Sequence, residues 1–497
     1  MTVHRGKPLT AVGRTAWLAA GTAVLCLLGG AVTLTGAAAA QVTAGVLIAL
    51  TGAAALLALR GRLTAERACL LLLAAGILLR IAYALYTGYG ERQHDVWLVT
   101  SGKGHMAYIQ YIAEHLSLPD TNRTWQFYHP PLHHILAGLL YRLLTACGAA
   151  AETAAEKLQL LTAFYSGAAL IVSDRIAVRC GLQGAGRVTA LAFLAFHPTG
   201  LLLAGSLNND TLLWLLSLLT LLWLLRWQEA PTVSNSVWMA VWLGLSMMAK
   251  TSGVLLAPAI AFAFCRLLWR ARRCPLSVRP QFRRMLLFGA VSIPLGMWYP
   301  VRNLLRFGQP LFYVPRISDV GQYVGDVSFS DRLWRIPWEQ LSSPYQSLTE
   351  GYNIPLSAWK TSLFGEGNFG PGVWPYLLLG SAALLLLPAL YGAVLSLVRR
   401  PLRDTAQLLA CVAGFITVSY TVFCFTYPHI CSQDFRYLVM TLPVVAVWLG
   451  YAAEVPPQKD THRALYRVRQ GVTAAGMALF CLSSAAVYLS AGMSAAL

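Results

Sequence analysis

The chain reads as an all-α polytopic membrane protein, and three observations predict this. Of its 497 residues, 57% are hydrophobic and 12% charged, with a mean hydropathy of +0.57, a balance that no ordinary soluble domain keeps in water. Apolar runs near the roughly 20 residues needed to cross hydrocarbon recur along the whole length. Basic residues cluster in the intervals between those runs, as they do in loops retained on the cytoplasmic side of a membrane.

Taken in order, the runs fall at about 13–36, 42–59, 68–87, 158–178, 187–205, 211–227, 236–249, 251–270, 284–301, 372–398, 405–426, 437–452 and 471–491, about 13 transmembrane helices in all. The first follows Arg5, Lys7 and Arg14. It is longer than the apolar core of a secretory signal and lacks a clear cleavage end, so a retained helix is expected. Residues 1–67 then form an N-terminal transmembrane hairpin ahead of a core at 68–302, which includes an outer loop at 88–157. Within that loop Leu132 to Ala146 is short, follows Pro130-Pro131 and carries His133, His134 and Arg142. If it crossed the membrane, every later basic cluster would change sides, so it is expected to lie along the interface as an amphipathic helix. The long segment 303–371 is expected as a mostly irregular and helical lid over the outer ends of the helices, and 372–497 supplies the C-terminal spans.

Orientation follows from the charges. With the N-terminus inside, 24 of the 38 basic residues lie in cytoplasmic intervals, seven of them between Arg266 and Arg284. The net charge of +18 is thus an orientation signal and an attraction for anionic headgroups. No basic domain interleaved with aromatics suggests nucleic acid as a partner. Most cysteines fall inside predicted spans, too few remain outside for a disulfide framework, and neither a Walker phosphate loop nor a dinucleotide fingerprint is present.

This topology gathers the unusual polar residues at one set of helix ends. Asp95, with His94 beside it and His105 ten residues on, follows the third span. Tyr128 and His129 precede the interfacial helix, and Asn209-Asp210 opens the sixth span. Lys250 stands between the seventh and eighth, Arg302-Asn303 ends the ninth, and Gln433-Asp434-Phe435-Arg436 precedes the twelfth. Charges at membrane depth cost several kcal/mol and usually face a cavity or a partner, so their convergence predicts a site. Each also has a structural reading: a helix cap for Asp210, snorkelling for Lys250, an ion pair with Asp434 for Arg436. Arg80, inside the third helix, is expected to be a buried structural charge.

The pattern resembles the C-type (GT-C) membrane glycosyltransferases, in particular the group containing the protein O-mannosyltransferases and the aminoarabinose transferase that modifies lipid A. The resemblance runs over roughly 68–450: the early acid Asp95, His129-Pro130-Pro131-Leu132, Asn209-Asp210, Lys250-Thr251, Arg302-Asn303 followed by Gly308 and Pro310, and Arg436-Tyr437-Leu438 with Pro443. The sequence departs from the mannosyltransferases where they carry Asp-Glu, since His94 and Val96 flank Asp95, and again where His133-His134 replaces Gly-Lys. The resemblance implies transfer of a hexose or pentose from a polyprenyl-phosphate-linked donor to an extracytoplasmic lipid, glycan or protein acceptor. The implied setting is a bacterial inner membrane. Asp95 is then the general base, with Asp210 a second catalytic acid that could share Mg or Mn with it. His94, His105, Tyr128, His129, Asn209, Lys250, Arg302, Asn303, Gln433, Asp434 and Arg436 would bind substrate or phosphate. The alternative is a transporter or flippase of lipid-linked saccharides, for which internal repeats and a midplane site are the usual marks; the sequence has neither.

Overall fold

In the computed structural model the apolar runs become eighteen α-helices, and the structure describes residues 8–31, 36–91, 95–272, 275–315, 320–347, 351–456 and 463–494. Among these residues there is no strand beyond a single antiparallel bridge between Tyr323 and His429. Helix is the expected outcome, because in hydrocarbon every backbone amide and carbonyl must be paired within its own segment.

The N-terminal hairpin is α1 (Pro8–Ala31) and α2 (Gly36–Leu59). The second packs along the next helix and along the last one, and only 6% of its apolar window is fully buried, so much of its surface is left to lipid. Next, α3 (Ala65–Tyr86) starts at Thr64, whose hydroxyl accepts from the Arg67 amide, with Glu66 in the first turn; both features suit a helix N-terminus. The outer loop contributes α4 (Gly104–His115) and α5 (Leu132–Ala146). The second of these has the predicted bounds and, at 15 residues, is too short to cross a bilayer. It is amphipathic in an unusual sense. His133, His134, Ala137 and Tyr141 are buried at helical spacing, while Leu136, Leu139 and Leu143 are exposed.

The central bundle is α6 (Ala151–Arg179), α7 (Gly184–Phe196), α8 (Pro198–Gly205), α9 (Asp210–Glu229), α10 (Val233–Ala249), α11 (Ala257–Ala271) and α12 (Pro275–Phe307). A bend of 43° separates α7 from α8. Its cause is Pro198, which has no amide to give the Leu194 carbonyl. Arg80 supplies the missing donors: its guanidinium bonds the carbonyls of Leu194 at 3.0 Å, Ala195 at 2.9 Å and Gly76 at 2.8 Å, and the Ser166 hydroxyl at 2.9 Å. Gly200 leaves room for it, since a Cβ there would stand 2.5 Å from Nη2. The buried structural charge expected at Arg80 is therefore the repair of a broken span.

After α12 come α13 (Phe329–Trp334) and α14 (Ile354–Phe364), then α15 (Val373–Val398), α16 (Arg403–Thr426), α17 (Leu442–Glu454) and α18 (Arg463–Met493). Each predicted span has a helical counterpart. By length and apolarity, however, nine helices among the described residues can cross a membrane, or ten if the bent α7–α8 pair counts as one. The count of thirteen is not reached by that measure: α10 has only 17 residues, and α1 keeps a short apolar stretch at Trp17–Leu28.

The predicted lid carries one helix that packs inward. Its helix α14 is sunk into the core, with Phe364 fully buried. The Thr199 hydroxyl of α8 donates to the Ser362 carbonyl at 2.8 Å, and the Tyr488 hydroxyl of α18 donates to the Leu363 carbonyl at 2.7 Å. Trp334 and Trp338 remain exposed.

Candidate functional site

Antiparallel helices bring the ends of α3, α9, α10 and α17 to one face, and a cavity of about 310 Å³ opens between them. Seven of the predicted site residues line it: Asp95, His105, Tyr128, His129, Asp210, Lys250 and Arg436.

Asp95 sits on backbone of unusual conformation. Its φ is 57° and that of Trp97 is 61°, a left-handed region that Asp visits more readily than most residues but a bulky side chain rarely. The first amides of α4 hold this turn, His105 donating to the Asp95 carbonyl at 2.9 Å and Met106 to the Val96 carbonyl at 3.0 Å. So close an approach requires Gly104, whose φ is 69° and where a Cβ would collide with the Asp95 and Val96 carbonyls and with the Trp97 ring. Residues over-determined in this way cluster where function needs a fixed geometry. The Asp95 side chain itself is 47% exposed and faces Arg436 Nη2 at 3.6 Å.

Asp210 is the buried counterpart. It is the first residue of α9, and its amide donates to Asn208 Oδ1 at 3.0 Å. Asn209 donates from Nδ2 to the Ala249 carbonyl at 2.8 Å, which ties the start of α9 to the end of α10. The next residue, Lys250, is thereby delivered to Asp210 Oδ1 at 2.5 Å, while Arg436 Nη1 stands 4.0 Å from Oδ2. Arg436 thus bridges an exposed and a buried carboxylate. It follows Asp434, which caps the 3-10 turn Phe435–Thr441 by accepting from the Arg436 amide, and the Phe435 amide is held by the α14 hydroxyl of Thr361 at 2.9 Å. Asp434, weighed as an ion-pair partner for Arg436, thus also caps the turn that carries it, and its charge acts on the guanidinium as well. Tyr437, absent from the predicted site, packs under both cations, with Lys250 Nζ 5.2 Å and the Arg436 guanidinium 5.1 Å from its ring. Its place in the Arg436-Tyr437-Leu438 motif is the signal for it in the sequence.

The third wall is aromatic. The rings of His129, His105 and His134 stack at centroid spacings of 5.3 and 5.2 Å, and His105 Nδ1 meets His134 Nε2 at 2.9 Å. Burial pushes His105 and His129 well below the ordinary imidazole range, with Lys250 and Arg436 adding to the effect. Both are neutral at pH 7, so His129 can offer a hydrogen bond but no charge. Burial likewise holds the Tyr128 phenol protonated, well above its usual value.

Among the described residues, the remaining predicted ones do not line the cavity. Arg302 donates to the Pro119 carbonyl at 3.2 Å and to Asn303 Oδ1 at 2.9 Å, and Asn303 Nδ2 reaches Gln309 Oε1 at 3.3 Å. Gln433 accepts from Arg332 at 3.2 Å. None of these, nor Asn209 or Asp434, lines the cavity. His94 lies outside the described residues. Among the described residues of 303–371, Phe312, Tyr313 and Val314 contribute to the lining. Besides its charged groups the cavity has apolar walls from Leu213, Val254, Leu255, Phe423 and Met440. Among the described residues no group of three or more His, Cys, Asp or Glu side chains could hold a metal ion.

No family model matches the chain, and no curated protein matches it. Solved structures similar to it include two of ArnT from Cupriavidus metallidurans. One is bound to undecaprenyl phosphate, at 15% identity and a TM-score of 0.48. The other is in the apo state, at 13% identity and a TM-score of 0.49. In each case the similarity covers 85% of this chain and 76% of the other. At that distance the likeness says nothing of this chain's substrates.

Proposed function

We propose that this protein is a membrane glycosyltransferase that moves a sugar from a polyprenyl-phosphate-linked donor to an acceptor on the extracytoplasmic side, the N-terminus being cytoplasmic. The observation that carries the reading is the division of labour in the cavity. One reachable carboxylate, Asp95, faces Arg436, and the buried acid Asp210 holds Arg436 and Lys250 in the same cavity beside apolar walls.

In the reaction, Asp95 takes the proton of the acceptor nucleophile as that group attacks the anomeric carbon. The bond from the anomeric carbon to the phosphate oxygen breaks with inversion, and the polyprenyl phosphate leaves as the anion. Lys250 and Arg436 stabilise the charge that develops there, which is where such electrostatic help has its largest effect. His129 donates a further hydrogen bond to phosphate or sugar. The apolar walls take the first isoprene units of the carrier. Purified protein in vesicles, given a polyprenyl-phosphate sugar, should release polyprenyl phosphate in step with a glycosylated acceptor. Movement of intact donor across the vesicle wall without transfer would instead support a flippase.

A divalent ion does not fit the acid pair. Mg or Mn wants about six oxygen ligands in a regular shell, and here Asp210 already meets Lys250 on one oxygen and Arg436 on the other. Activity is therefore expected to survive thorough chelation; loss that added Mg or Mn restores would contradict the cation bridge.

Gly104→Ala tests the mounting of Asp95. An L-residue at this φ costs roughly 1–2 kcal/mol, and the new methyl presses on the Asp95 carbonyl. We expect transfer to fall by about ten-fold or more, since small misplacements of reacting groups are expensive. Melting temperature should change only modestly. Wild-type kinetics in this variant would show that the turn does not position the base.

A further inference from the structure

We infer that the face opposite the cavity carries a binding site for the phosphodiester headgroup of an anionic bilayer lipid, formed by Arg279, Arg283 and Arg284. The inference is independent of the chemistry proposed above and needs only that the bundle lies in a membrane.

The three guanidinium groups line a cleft of about 400 Å³ beside Val233 and Leu287. Arg279 and Arg283 are four residues apart on α12, so they share a helix face and repel each other. Among the described residues no carboxylate compensates them, although other arginines of this face are matched: Arg179 with Glu229, Arg187 with Asp174, and both Arg266 and Arg270 with Asp404. A cleft that collects three arginines without an acid is arranged for an anion from outside the chain.

Depth and surroundings say which anion. Arg283 precedes Arg302 by 19 residues on one helix, which at 1.5 Å per residue is ~28 Å, close to the thickness of a hydrocarbon core at about 30 Å. The arginines therefore stand at the headgroup level of the other leaflet. Exposed Phe282 and Leu286 flank them on α12. At the same end of the bundle Arg272 lies over Trp269, 3.3 Å from its ring. Aromatic belts of this kind mark a membrane interface. The arginine forks match phosphate oxygens, and the apolar flank offers a track for an acyl chain that a free phosphate ion would not use.

The test is lipid retention by native mass spectrometry, on full-length protein taken from bilayers of phosphatidylcholine with or without phosphatidylglycerol. Wild type should hold phosphatidylglycerol in preference to phosphatidylcholine. The triple variant Arg279→Gln, Arg283→Gln, Arg284→Gln should lose roughly five-fold in affinity per arginine, on the order of 100-fold together, with transfer in phosphatidylcholine unchanged. Should the triple variant fail to fold, Arg283→Gln alone should show the five-fold loss. Equal retention of phosphatidylglycerol by wild type and variant would overturn the site. Displacement of the lipid by inorganic phosphate at equal concentration would overturn its assignment to a lipid.

Discussion

Asp95→Asn is expected to lower the turnover of sugar transfer by roughly 10²- to 10⁴-fold, the range that a positioned general base contributes. Asparagine keeps the size of the side chain and its tolerance of the left-handed conformation at φ 57°, but it cannot accept a proton from the acceptor. Because the carboxylate is 47% exposed and 3.6 Å from Arg436, its ion pair is partly screened, and its removal should change stability little. The loss should therefore fall on turnover, with donor affinity preserved. A purified variant with near-normal turnover would remove Asp95 from the role of base.

Arg436→Gln is expected to act on binding and on stability together. The guanidinium is 8% exposed and serves two carboxylates. Its loss takes a charged hydrogen-bond donor from the phosphate, worth roughly 1.5–3 kcal/mol, so donor affinity should fall about ten- to a hundred-fold. It also leaves Asp210 with Lys250 as its remaining cation of the pair, and the melting temperature should drop. Arg436→Lys should not restore binding in full, because a single ammonium cannot span Asp95 and Asp210 as the planar fork does. Donor affinity equal to wild type in either variant would contradict the phosphate role.

The sequence made the site legible because hydrocarbon penalises charge. Asp95, Asp210, Lys250 and Arg436 stand out at helix ends, and the alternation of basic loops assigns those ends to one face. It did not separate groups that enter a cavity from groups that fasten the walls. Arg302 and Asn303 carry the same signature, yet they clamp Pro119 and Gln309, since an arginine at a helix end can satisfy loop carbonyls as readily as a phosphate. The role of Asn209 was equally hidden: it depends on the Ala249 carbonyl, a partner that only the packing of α9 on α10 provides. The segment 303–371 looked like a cover because it is long and rich in aromatics. Composition could not reveal that Ile354–Phe364 is buried against α8 and α18 and braces Phe435 through Thr361. In the fold, bounds were read well where one apolar face is continuous, as at Leu132–Ala146. The number of spans is less legible where proline bends a run at 198 or where an apolar helix is only 17 residues long.

The central claim is that Lys250 and Arg436 receive the phosphate of a polyprenyl carrier while Asp95 does chemistry alone. It is tested most directly by the dissociation constant of undecaprenyl phosphate for wild type, Asp95→Asn and Arg436→Gln, measured on purified protein in the same bilayer. The expected constant is unchanged by Asp95→Asn and raised about ten- to a hundred-fold by Arg436→Gln. Equal affinity in all three proteins, or a loss confined to Asp95→Asn, would contradict it.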